Sequence, residues 1–155
     1  MNNNTAFALS LIMLLTGIGI PVMAAMNGTV GARIGSPALA SLFVFSGGLA
    51  VMVVATLVTR GQMGGVGGGW RAVPLPYWCG GLLMAFYVLS ITTIGPRIGL
   101  GNAIFLVLLG QIVAATTIDH FGLFGAPRTP ISLVRMGGIA LMLLGIFLAR
   151  KPPGI

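Results

Sequence analysis

Acidic residues are almost missing from this sequence: Asp119 is the only one in 155 residues, set against eight Lys and Arg, and charged residues make up 6% of the chain. A soluble domain carries about 25% charged residues, so an ordinary soluble globule is excluded. Cysteine is equally scarce. Cys79 stands alone, which removes an intramolecular disulfide or a thiolate metal cluster, and His120 has no second histidine with which to hold a metal. One Asp beside one His, with no nucleophile and base pair, makes no catalytic site, so neither an enzyme nor a cofactor is expected. The formal charge of +7 could suggest a nucleic-acid partner. Position argues against it: Arg33, Arg60, Arg71, Arg97, Arg128, Arg135, Arg150 and Lys151 form no basic run and punctuate the ends of apolar stretches.

What the chain has in abundance is apolar residues, 57% of the total, with a mean hydropathy of +1.07. About 20 residues cross the roughly 30 Å of bilayer hydrocarbon, and on that measure apolar runs near 5–26, 37–59, 76–95, 99–119 and 132–149 are candidate spans. Backbone groups in lipid must pair internally, so the expectation is an all-α integral membrane protein with five transmembrane helices in a single transmembrane domain over residues 1–155. The first run is preceded by three Asn and no cation and is too long for a signal-peptide core, so it is expected to be retained and to span. Gly35-Ser36-Pro37 opens the second run, Pro74 and Pro76 flank the third, Gly95-Pro96 separates the third from the fourth, and Pro127 and Pro130 precede the fifth. The Gly-rich stretch 61–69 reads as a flexible loop without phosphate-binding chemistry. Trp70, Tyr77 and Trp78 suit the headgroup level at the entrance to the third span.

Five spans divide the cations evenly. Arg60, Arg71, Arg128 and Arg135 fall on the side of the N-terminus, and Arg33, Arg97, Arg150 and Lys151 on the other. Orientation follows the cytoplasmic excess of Lys and Arg, so a balanced chain is expected to insert both ways up. Many transporters are built from two inverted repeats with the solute site between them, and an odd number of spans lets one repeat insert upside down relative to the next. A second copy of this chain in the opposite orientation would supply the missing half. Arg33-Ile34-Gly35 recurs as Arg97-Ile98-Gly99, a weak internal echo.

Polar residues inside the spans are the candidate site. Gln111 lies near the middle of the fourth span; an interhelical hydrogen bond and a solute contact both fit it. In the first span Pro21 lacks an amide hydrogen and clashes with the carbonyl of Gly17, which predicts a kink of the kind that marks transport sites. At 100° per residue Thr16, Ile20, Met23 and Asn27 fall within about 60° of one another, as a cavity stripe or a packed seam. Tyr87 is central in the third span with Ser90 one turn beyond. Asn102, Thr116 and His120 share a face of the fourth, with Gln111 about 180° from Asn102. Asp119 ends that span beside His120 and near Arg128, where an interfacial ion pair or proton coupling could engage it; with no other acid, a neutral or anionic solute fits better than a cation. Gly137, Gly138 and Gly145 permit close helix approach and fit a dimer contact, or packing within one subunit.

From about residue 11 to residue 149 the chain resembles the YdcZ-type five-helix branch of the drug/metabolite transporter superfamily. The resemblance is carried by residues 19–27 (GIPVMAAMN) through 31–37 (GARIGSP), by 86–90 (FYVLS) with 96–99 (PRIG), and by Gly110-Gln111 and 119–122 (DHFG). It implies a bacterial inner-membrane protein forming one half of an inverted-repeat transporter, in a family that occurs as dual-topology single chains, as oppositely oriented pairs or as ten-helix fusions. Many relatives carry Gln where this chain has Met23, so no role passes to that position. Small multidrug resistance proteins of the same superfamily use a first-helix Glu that has no counterpart here. The leading expectation is thus an antiparallel homodimer in the lipid bilayer that moves a small-molecule solute by alternating access. The alternative is a non-transporting scaffold or regulator paired with another membrane protein.

Overall fold

The computed structural model describes residues 3–59 and 73–149. The Gly-rich stretch 61–69, Trp70 and the cations Arg60, Arg71, Arg150 and Lys151 lie outside the described residues. Among the described residues all regular structure is helical: α1 (Asn3–Ile34), α2 (Pro37–Val58), a 3-10 turn (Leu75–Cys79) leading into α3 (Gly80–Ile98), α4 (Leu100–Phe121), a second 3-10 turn (Leu123–Gly125), and α5 (Leu133–Ala149). Four stretches are long and apolar enough to cross a membrane: α1, α2, the first 3-10 turn with α3, and α4. Helix α5 is a shorter apolar helix of 17 residues. At about 1.5 Å per residue it rises about 25 Å, close to the shortest length that crosses a hydrocarbon core.

Glycine and proline chemistry sets the boundaries. Helix α1 continues through Pro21 to Ile34 and stops at Gly35, whose φ of 69° suits a residue without a Cβ. Ser36 then caps α2, its Oγ accepting the Leu39 N–H at 3.3 Å, with Pro37 in the first turn where its missing N–H costs nothing. Residues Gly95-Pro96, expected to separate the third and fourth spans, lie inside α3, which runs on through Pro96 to Ile98. The break falls at Gly99, with φ 86°. The recurring Arg-Ile-Gly tripeptide is therefore a recurring helix stop: Arg33 and Arg97 each sit in a last turn, favourably placed against the helix dipole, and Gly35 and Gly99 each take positive φ.

The chain divides into two units, Met1–Pro96 and Arg97–Ile155. In the first, most of the buried residues are small. Ala24, Asn27, Gly28 and Gly31 recur at helical spacing on α1, with Ala40 and Ser41 buried on α2 and Val88, Ile91, Thr92 and Gly95 on α3. Gly31 is the tightest point. A Cβ there would lie 3.3 Å from Pro37 Cα, 3.3 Å from Thr92 Cγ2 and 3.6 Å from Ala40 Cβ, and one at Gly28 would lie 3.6 Å from Pro96 Cγ. Small residues let backbones approach where lipid offers no hydrophobic drive between helices. In the second unit α4 and α5 are joined by a hydrogen-bonded corner built on Gly122 (φ 64°), whose N–H closes onto Ile118 O.

Candidate solute-binding site

Most hydroxyls in the spans are used locally. Thr16 donates to Ile12 O at 2.9 Å, Ser46 to Leu42 O at 2.8 Å, Thr93 to Leu89 O at 2.8 Å and Thr116 to Ile112 O at 2.7 Å, each turning back one helical turn because hydrocarbon offers no other acceptor. Asn27 is bonded across helices. Buried at 3% exposure, it donates from Nδ2 to Thr92 Oγ1 at 2.6 Å, while Thr92 donates to Val88 O at 2.7 Å. The α1 stripe therefore divides along its length: Asn27 is tied to α3, Ile20, Pro21 and Met23 are half-buried, and Thr16 and Gly17 are exposed, with open space around Gly17.

Tyr87 behaves differently. It is half-buried on α3, and its hydroxyl is enclosed without a hydrogen-bond partner. Leaving a buried hydroxyl unpaired costs about 1–3 kcal/mol, which sets Tyr87 apart from the back-bonded Ser and Thr hydroxyls. Ser90, one turn further along α3, is also half-buried.

The second unit holds Gln111 in the middle of α4, with its side chain exposed and making no hydrogen bond among the described residues. Asn102 donates to Ile98 O at 3.0 Å. At the end of α4, Asp119 pairs with Arg135 of α5, Oδ2 to Nη2 at 2.6 Å, and each side chain remains about a third exposed at 37% and 35%. The nearby cation in sequence, Arg128, turns instead to the main chain, with Nε donating to His120 O at 3.3 Å. His120 accepts the Ile131 N–H on Nδ1 at 3.2 Å, and its ring stands edge-on to Phe121 at 4.7 Å. The Thr129 N–H closes the corner onto Asp119 O at 2.7 Å. Gly137, Gly138 and Gly145 have open space where a Cβ would stand.

Two contributors were missed in the sequence. Thr92 is the partner of Asn27, and Gly31 is the point of closest helix approach in the first unit. The available signal was the run Asn27-Gly28 followed by Gly31, a polar residue flanked by glycines on one helix face, which marks a face pressed against a neighbour. Nothing local to Thr92 distinguishes it from Thr93, its back-bonded neighbour in the chain.

The family model DMT_YdcZ, described as "Putative inner membrane exporter, YdcZ", matches residues 8–148. The chain belongs to the YdcZ family. It is accordingly a multi-pass protein of the inner membrane, from a family of membrane exporters rather than enzymes. The match overlaps every helix described above, leaving out only the first five residues of α1 and the last of α5, and includes Asn27, Tyr87, Gln111 and the Asp119 corner. Comparison with curated proteins and with solved structures gave no match.

Proposed function

We propose that this YdcZ-family chain is a transporter that works as an antiparallel homodimer, two copies inserted in opposite orientations, moving a small solute by alternating access. The observation that carries this reading is Gln111. An amide at the centre of a 22-residue apolar helix, exposed and unbonded within the described chain, would cost about 4–8 kcal/mol against hydrocarbon on an alkane scale. A second copy or a solute in a polar cavity removes that cost. The enclosed, unpartnered hydroxyl of Tyr87 supports the same conclusion from another helix. We assign solute contact to Gln111, Tyr87 and Asn102, and on α1 to Thr16, Gly17, Pro21, Met23 and Asn27.

The balanced distribution of Lys and Arg supports opposite insertion, and a five-helix unit is the kind of half that a transporter repeat supplies. The α5 glycines supply a contact. Val134, Gly138, Leu141, Gly145 and Leu148 follow the alternating four- and three-residue spacing of a helix-pairing seam, and Val134, Leu141 and Leu148 are 86%, 70% and 74% exposed. The solute is neutral or anionic, because the single acid is already engaged by Arg135 at a helix end.

Purified protein in liposomes, loaded with a panel of small solutes, tests this reading. Uptake by the native chain that falls about tenfold or more in Gln111→Ala, a loss of about 1.4 kcal/mol of binding or more, is the expected result. Uptake unaltered by that change removes Gln111 from the site, and uptake of nothing supports a scaffold instead.

A further inference from the structure

We infer that the corner between α4 and α5 is a bilayer-boundary anchor in which Arg128 holds the phosphate of an anionic phospholipid headgroup while Phe124 inserts beside it. The inference is independent of solute transport. It starts from charge. The chain has one acid, Asp119, and Arg135 takes it at 2.6 Å. Arg128 sits in the same corner and spends only its Nε, on a main-chain carbonyl that carries no net charge. Asp119 is the one acidic side chain in the sequence, and among the described residues no carboxylate pairs with Arg128, so its counter-anion comes from outside, and guanidinium with phosphate is a strong, two-pronged pair.

The backbone of the corner says which source of phosphate fits. Three residues in four take left-handed dihedrals: Gly122 at φ 64°, Phe124 at φ 56° and Gly125 at φ 78°. Phe124 is the only non-glycine among the described residues with positive φ, a conformation that persists only where the surroundings impose it. Here they do. A Cβ at Gly122 would lie 3.3 Å from Arg128 Cβ, the Ala126 N–H bonds to Leu123 O at 3.0 Å, and the Thr129 N–H bonds to Asp119 O at 2.7 Å. The turn leaves Phe124 73% exposed, beside Phe121 at 62% and Leu123 at 41%, at the point where a membrane-crossing helix ends. An exposed aromatic side chain and an arginine without a carboxylate partner in one corner match the headgroup and acyl boundary of a bilayer, where both surfaces are satisfied at once. A freely dissolved phosphate would satisfy only the arginine.

The experiment is thermal unfolding of the purified full chain in neutral detergent, titrated with phosphatidylglycerol, with phosphatidylcholine or with inorganic phosphate. Phosphatidylglycerol is expected to raise Tm more than either of the others. In Arg128→Gln that rise should fall by about half or more, whereas Arg33→Gln, a cation at another helix end, keeps most of it. Phe124→Gly, which relieves the strained φ and is safe to fold, should also weaken the response to phosphatidylglycerol. An equal response of Arg128→Gln and the native chain overturns the assignment, and inorganic phosphate matching the lipid overturns the lipid as its source. Should Arg128→Gln fail to yield folded protein, a full response in Phe124→Gly overturns it alone.

Discussion

Gly31 is where the first unit leaves least room. Of its three close neighbours one is backbone, Pro37 Cα, and another, Thr92 Cγ2, belongs to a side chain held by two hydrogen bonds. Neither can retreat, so Gly31→Val should destabilise the chain by about 1–3 kcal/mol, the usual cost of overpacking. Gly137→Val, made where a Cβ meets open space, should change the stability of the detergent-solubilised monomer by no more than about 0.5 kcal/mol. Chemical unfolding of both variants beside the native chain checks the contrast, and equal losses would refute it. The same geometry bears on Asn27. Its amide is committed to Thr92, whereas the amide of Gln111 and the hydroxyl of Tyr87 remain available, and polar groups of equal chemistry are thereby sorted by their surroundings.

Between elements, the pairing of α4 with α5 is made at their shared corner rather than by an extensive buried core. Asp119 and Arg135 form an ion pair that is about a third exposed at each end, so water and salt screen it. Asp119→Asn keeps the shape and should cost only about 0–1 kcal/mol, less at high salt. Unfolding at low and at high ionic strength measures this directly, and a loss of several kcal/mol would mean that the pair is enclosed in the working assembly. More of the corner's order comes from main-chain bonds, Thr129 to Asp119 and Ile131 to the His120 ring, which the substitution leaves intact.

For the whole molecule, the deciding quantity is how cations are shared between the two membrane faces. If that balance sets orientation, adding two Lys near Ile155 should tilt the population toward a single orientation and reduce the solute uptake that needs both. Placing the same two Lys in the loop between α4 and α5 should tilt it the other way. Reporter fusions at both termini measure the populations: the native chain should give signal on both sides, and signal from one side only would remove opposite insertion. Co-expressing the two oppositely biased variants should restore uptake.

Much of this architecture could be read in the sequence because the bilayer makes the problem one-dimensional. Hydrocarbon demands internally bonded backbone, so apolar length gives the helices, and Gly35, Ser36-Pro37 and Gly122 mark their ends through φ and capping chemistry that depend only on neighbours in the chain. The recurring Arg-Ile-Gly tripeptide and the scarcity of acid were visible in the same way, though that the tripeptide stops a helix came from the structure. What only the tertiary structure decided was partnership. That Asn27 meets Thr92 sixty-five residues away and that Arg135 and not Arg128 takes Asp119 depend on which helix faces meet. Helical periodicity gives each residue an angle about its own axis, but the neighbour at that angle is set by packing between segments distant in the chain, and no local pattern encodes it.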